Sequence, residues 1–157
     1  MNGCLRNRRQ VTGAGLIEVL VAIVVLSFGM LGMAALQATS LRNSQSALER
    51  SEAVVQSYAI LDAMRANLDV ARINGYNLST MTCTAPNAGT GSGGTALAAT
   101  DLHDWILGLQ ATLGESSCGQ IACGSTSCRI TVQWDDSRGT HATADTAPIT
   151  MVTETRL

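Results

Sequence analysis

Polar and apolar positions are distributed very unevenly along this chain. Residues 1–13, MNGCLRNRRQVTG, are short, polar and basic. From Ala14 to Leu36 the chain then runs for 23 residues with a single charge, Glu18. A helix of that length spans roughly 35 Å, enough to cross the hydrocarbon core of a bilayer. A buried core helix is the weaker option for this segment, which is apolar around its whole circumference. Arginines on its N-terminal side predict a cytoplasmic N-terminus. A secretory signal would have a shorter apolar core and a small-residue cleavage site after it, and no A-x-A occurs between residues 27 and 42.

Residues 37–72 contain no Gly or Pro, so the helix is expected to continue. Leu41, Leu48 and Val55 repeat at seven, and Val54, Tyr58, Leu61, Met64 and Leu68 follow helical spacing. Both sets read as an apolar stripe packed on a core, with Arg42, Glu49, Arg50, Glu52, Asp62 and Asp69 mostly on other faces. Gly29 and Gly32 soften the first half. Asn74-Gly75 is a stop and turn signal. Residues 83–100, CTAPNAGTGSGGTALAAT, read as a flexible loop with no phosphate-binding pattern. Asp101 is placed to cap a short helix from Leu102 to about Leu113, whose Leu102, Trp105, Ile106, Leu109 and Leu113 share one face. Cys128–Trp134 alternates as a half-buried strand, with Cys128, Ile130, Val132 and Trp134 facing one way. A turn at 135–139 and a Thr-rich strand at 149–156 follow. Further strands are expected from 76–82 or 119–123. The pattern predicts an α+β fold: one long N-terminal helix, apolar in its first half, packed on a small antiparallel sheet.

Composition sharpens this picture. Hydrophobic residues make up 46% of 157 residues but aromatics only 3%, so Trp105 and Trp134 are expected in the core rather than as a ligand-stacking pair. Charged residues are 14%, well below the ~25% of an ordinary soluble domain. All ten basic residues are arginines, which excludes a phosphate-loop lysine and a Schiff-base lysine. After Gly13 the chain holds seven arginines against twelve acids, a net charge of −5, which disfavours nucleic-acid binding by bulk charge.

Glu18 asks for an explanation, because a carboxylate inside a membrane helix costs on the order of 2–3 kcal/mol. It could snorkel to the interface. Alternatively, a cut after Gly13 would free the α-amino group of Ala14, four residues before Glu18 and on the same helix side. That amine could pair with Glu18 in its own chain or in a neighbour.

The stretch Gly13-Ala14-Gly15-Leu16-Ile17-Glu18-Val19-Leu20-Val21-Ala22-Ile23 resembles the signal of type IV pilins and pseudopilins. In that family a basic leader ends in Gly and the fifth mature residue is Glu. The usual first mature residues are Phe and then Thr or Ser, where this chain has Ala14 and Gly15. The resemblance implies a prepilin leader at 1–13, cleaved between Gly13 and Ala14 by a prepilin peptidase, and N-methylation of Ala14. It implies a transmembrane or filament-core half-helix at 14–36 and a head at 37–157 that includes the second half of the helix. Glu18 would serve as the subunit-assembly charge. Met64-Arg65-Ala66-Asn67, Asp101-x-x-x-Trp105 and ITVQWDD at 130–136 resemble more narrowly the type IV pilus modification proteins, a class of minor pilins. The implied partners are other minor pilins and the major pilin, the inner-membrane assembly platform and the membrane. The implied location is the bacterial inner membrane with a periplasmic head, then the pilus. The alternative is a minor pseudopilin, I type, of a type II secretion system. A DNA-binding minor pilin would need a local arginine patch, for example from Arg129 and Arg138.

The five cysteines are Cys4, Cys83, Cys118, Cys123 and Cys128. Loss of Cys4 with the leader would leave four, all on the oxidising side of the membrane. If all four pair, Cys83 joins one of the other three, and three pairings are open. Cys118-x4-Cys123-x4-Cys128 is too widely spaced for a zinc knuckle, so no metal and no cofactor are expected. His103 and His141 have no nucleophile motif around them, and an enzyme is not expected. Asp135, Asp136 and Asp145 match no calcium loop and read as a solvated turn.

Overall fold

The structure, a computed structural model, describes residues 15–124, 127–137 and 148–156. It divides into two compact units, one ending at Ser40 and one running from Leu41 to the C-terminus. Helix α1, Leu16–Ala66, runs through both. Glu18 lies in its first turn and Arg65 in its last, each complementing the helix dipole.

In the first unit every described residue is exposed. Leu16 is 86% exposed, Phe28 71% and Leu36 73%, so the apolar surface is left uncovered among the described residues. Ser27 and Thr39 return their hydroxyls to the carbonyls of Ile23 and Ala35, at 2.7 and 3.1 Å. These bonds satisfy polar groups that an apolar medium would otherwise penalise.

The second unit is the head. It holds α2 (Leu68–Arg72), β1 (Leu78–Thr82), α3 (Gly94–Leu113), β2 (Cys118–Cys123), β3 (Cys128–Trp134) and β4 (Ile149–Thr155). The four strands form an antiparallel meander in the order β1-β2-β3-β4, so both expected sources supplied a strand. β2 and β3 pair from Cys118↔Gln133 to Cys123↔Cys128, and β3 and β4 from Cys128↔Thr155 to Trp134↔Ile149. This register puts Ile121, Ile130 and Val132 on one face, against the two helices. α1 contributes Ala53, Ile60, Leu61 and Met64 to that core; α3 contributes Leu102, Trp105, Ile106, Leu109 and Leu113. The α+β layout of a long N-terminal helix packed on a small antiparallel sheet is therefore the fold of this chain.

Four local expectations are corrected. The helix does not run unbroken to residue 72: Asn67 leaves the helical conformation (φ −124°) and spends its side chain elsewhere, donating to the Gly94 carbonyl at 2.6 Å and the Tyr76 hydroxyl at 3.2 Å. α3 starts at Gly94, not Leu102, because Gly93 (φ 122°) supplies the turn and the Thr-Ala-Leu-Ala-Ala run at 95–99 is rich in good helix formers. Asp101 is thus inside the helix and does not cap it. The repeat at Leu41, Leu48 and Val55 faces outward, 72%, 64% and 59% exposed, and Val54 and Tyr58 are exposed as well. The core face of α1 holds the expected Leu61 and Met64 together with Ala53, Ser57 and Ile60, with Glu49 also buried.

Candidate functional site

Two features of the chain are built for something other than its own core: the exposed apolar unit and the braced head.

Glu18 sits at the start of the apolar unit. Its backbone N–H donates to the Gly15 carbonyl at 2.9 Å, so it belongs to the first helical turn, where an acid is favoured by the dipole. Leu16, Ile17, Val19, Leu20 and Val21 around it are 49–86% exposed. The carboxylate is therefore a single anionic point on a surface that is otherwise apolar. Gly13 and Ala14, the expected cleavage and methylation positions, lie outside the described residues, as do Cys4 and the leader arginines. The window within α1 has a mean hydropathy of 2.6 with none of it buried, and it is long and apolar enough to cross a membrane.

The head is braced by two disulfides, Cys83–Cys118 and Cys123–Cys128. The strand register explains both. Cys123 and Cys128 are directly opposed on β2 and β3, so the bridge closes the hairpin they flank. Cys118 lies at the other end of β2 and, opposite Gln133, on the other face of the sheet from Ile121 and Ile130. Its bridge ties the segment after β1 to the central strands. Together the bridges use all four sulfurs, which leaves none of them as a thiolate for zinc.

Beside the hairpin, Asn77 makes an amide clasp that sequence spacing did not suggest. Its Oδ1 accepts the Cys123 N–H at 2.9 Å and its Nδ2 donates to the Cys123 carbonyl at 3.3 Å. The side chain thereby imitates one more residue pair of the β1–β2 ladder.

The polar network around Tyr76 joins three elements. The fully buried Tyr76 donates its hydroxyl to Asp101 Oδ2 at 2.5 Å and accepts from Asn67 Nδ2. Burial, and then the bond to Asp101, push the phenol up to about 12. The group stays a neutral donor at any physiological pH. A second link is Trp105, whose Nε1 donates to the carbonyl of Gln56 on α1 at 3.0 Å. Trp105 and Trp134 are 4% and 1% exposed, placing both indoles in the core.

The remaining candidates are dispersed. His103 Nδ1 is 2.7 Å from the Pro86 carbonyl, which ties α3 to the loop before it. His141, Asp145 and Arg138 lie outside the described residues. Asp135 is a turn residue, accepting from the Ser137 N–H and hydroxyl at 2.9 and 3.0 Å. Asp136 is not solvated as expected: it is 4% exposed and accepts from Ser46 on α1 at 2.8 Å. Arg129 pairs with Glu154 across β3 and β4 at 3.3 Å. No group of three potential metal ligands occurs among the described residues.

Comparison of the chain with family models, with curated proteins and with solved structures finds no match. The description that the residues themselves carry is a membrane-compatible apolar helix joined to a disulfide-bearing α+β head.

Proposed function

We propose that this chain is a minor type IV pilin, most similar to the type IV pilus modification proteins, and that its role is structural. The observation that carries the reading is a coincidence of three features. A Gly-Ala-Gly-Leu-Ile-Glu signal follows a basic leader. It opens onto a helix whose apolar surface is left bare on all sides. That helix belongs to a head braced by disulfides, which suits an oxidising compartment. On this reading the chain is inserted in the inner membrane, cut after Gly13 and methylated at Ala14. Its apolar helix then packs among the helices of other minor pilins and the major pilin at the assembly platform. The bare apolar surface supplies the driving force in both settings, since lipid and neighbouring helices cover it equally well.

Glu18 supplies register. A carboxylate enters an apolar bundle cheaply only when it meets a cation, and the free amine of an adjacent mature subunit is such a cation. Glu18→Ala is expected to leave cleavage intact and to reduce recovery of the chain in sheared pili by about tenfold, as immunoblots of sheared and membrane fractions would show. Full recovery of the mutant in pili would overturn the assembly role of Glu18. For the reading as a whole, the amount of surface pilin in a strain lacking the gene is decisive. A sharp drop restored by the intact gene is expected. Normal pili with a loss of type II secretion would move the chain to the pseudopilins.

A further inference from the structure

The head half of α1 and helix α3 line an open groove of about 240 Å³. Its apolar lining comes from Ala59, Ile60 and Ala63 on α1 and Trp105 on α3. Ala59 and Ala63 are one turn apart on the same helix face, and their small side chains leave the depression unfilled. The polar lining is Gln56, Asp101 and Asp104.

The charge of this groove is one-sided. Asp101 and Asp104 are also one turn apart and share a face of α3. Asp101 is held in place by the Tyr76 hydroxyl at 2.5 Å, and Asp104 is exposed and makes no ion pair among the described residues. No arginine lines the groove among the described residues, and the chain has no lysine. Two carboxylates above an apolar floor favour a cation that is itself part apolar. A hydrated metal ion would gain nothing from Ala59, Ile60 and Ala63. An arginine would gain twice, through its methylene stem on the alanines and its weakly hydrated, planar guanidinium beside the carboxylates. A second copy of this chain is a poor donor, because the sequence after Gly13 carries a net charge of −5 and like heads repel.

We propose that the α1–α3 groove receives an arginine side chain from a different, more basic partner protein, with its guanidinium held by Asp101 and Asp104. The occupant is defined by the chemistry of the head alone, and the inference stands whether or not the chain enters a filament.

The test uses the full-length protein, isotope-labelled in non-ionic detergent micelles, titrated with N-acetyl-arginine amide. N-acetyl-citrulline amide, nearly the same shape without the charge, is the control. The expected result is a saturable shift of the Trp105 indole N–H resonance with the arginine amide and at least about tenfold weaker binding of the citrulline amide. Asp104→Asn is expected to weaken arginine binding about fivefold or more while leaving the ligand-free Trp105 and Trp134 indole resonances in place. No saturable shift, equal response to both amides, or unchanged affinity in a folded Asp104→Asn protein would each overturn the proposal.

Discussion

At the scale of single residues, the head depends on a few contacts that allow no substitute. Gly119 on β2 is one. A Cβ there would stand 2.5 Å from Cη2 and 2.6 Å from Cζ3 of Trp105, and 3.1 Å from Cδ1 of Ile106. The indole cannot retreat without giving up its bond to the Gln56 carbonyl. Gly119→Ala is therefore expected to destabilise the head by about 1–3 kcal/mol, read as a lowered guanidinium midpoint at unchanged slope. Tyr76 is another. Its phenol ionises near 10 when unfolded and near 12 when folded. The unfolded chain thus releases this proton first as pH rises. The stabilising contribution is fully present below pH 10 and is lost between 10 and 12, amounting to roughly 2–3 kcal/mol over that window. Guanidinium unfolding at pH 8 and at pH 11.5 should show the drop, and Tyr76→Phe should flatten it. At pH 8 the same substitution is expected to cost about 1–2 kcal/mol, because Asp101 loses its donor. An equal pH dependence in both proteins would show that other groups govern alkaline stability.

At the scale of elements, what the sequence made legible follows from which signals are local. β3 could be read from its alternation alone, and Cys128, Ile130, Val132 and Trp134 are all buried. The apolar face of α3 was equally plain, since Leu102, Trp105, Ile106, Leu109 and Leu113 hold helical spacing. The start of α3 was not, because Gly and Thr around residue 94 look like loop until the φ of Gly93 and the Asn67 bond to Gly94 are known. The Leu41–Leu48–Val55 repeat misled for a related reason. Periodicity says that residues share a face, and only tertiary contacts say which face is covered. The cysteine pairing was open among three choices until the register set Cys123 against Cys128. The two bridges should differ in worth. In the chain-entropy model the separation of 35 residues between Cys83 and Cys118 gives about 4 kcal/mol, and the separation of 5 between Cys123 and Cys128 about 2 kcal/mol. Paired Cys→Ser variants of each bridge, compared by denaturant unfolding, are expected to show the larger loss for Cys83/Cys118. The reverse order would mean that packing at the buried Cys128 outweighs loop closure.

At the scale of the whole molecule, the chain has one unit with a buried apolar core and one in which no described residue is buried. The buried residues of α1 begin at Glu49 and Ala53, and just before them Ser46 donates its hydroxyl to Asp136 at 2.8 Å. No described residue before Leu41 is buried. Removing the chain up to Ser40 therefore takes away no buried side chain among the described residues, both disulfides remain, and α1 keeps about seven turns from Leu41 to Ala66. A fragment starting at Leu41, exported to an oxidising compartment, is expected to be soluble without detergent. Its thermal midpoint should lie within about 4 °C of the full chain in detergent, a shift that corresponds to less than about 1–2 kcal/mol for a domain of this size. The full chain is expected in the membrane pellet and to resist extraction by alkaline carbonate, since the first unit exposes 14 large hydrophobic residues on a helix long and apolar enough to cross a membrane. Glu18 does not prevent this, because an acid in the first turn of the helix lies near the interface. Recovery of the full chain in the soluble fraction would show that a protein partner, and not lipid, covers the helix. An unfolded or aggregated fragment would show that residues before Leu41 contribute to the head in a way their exposure does not reveal.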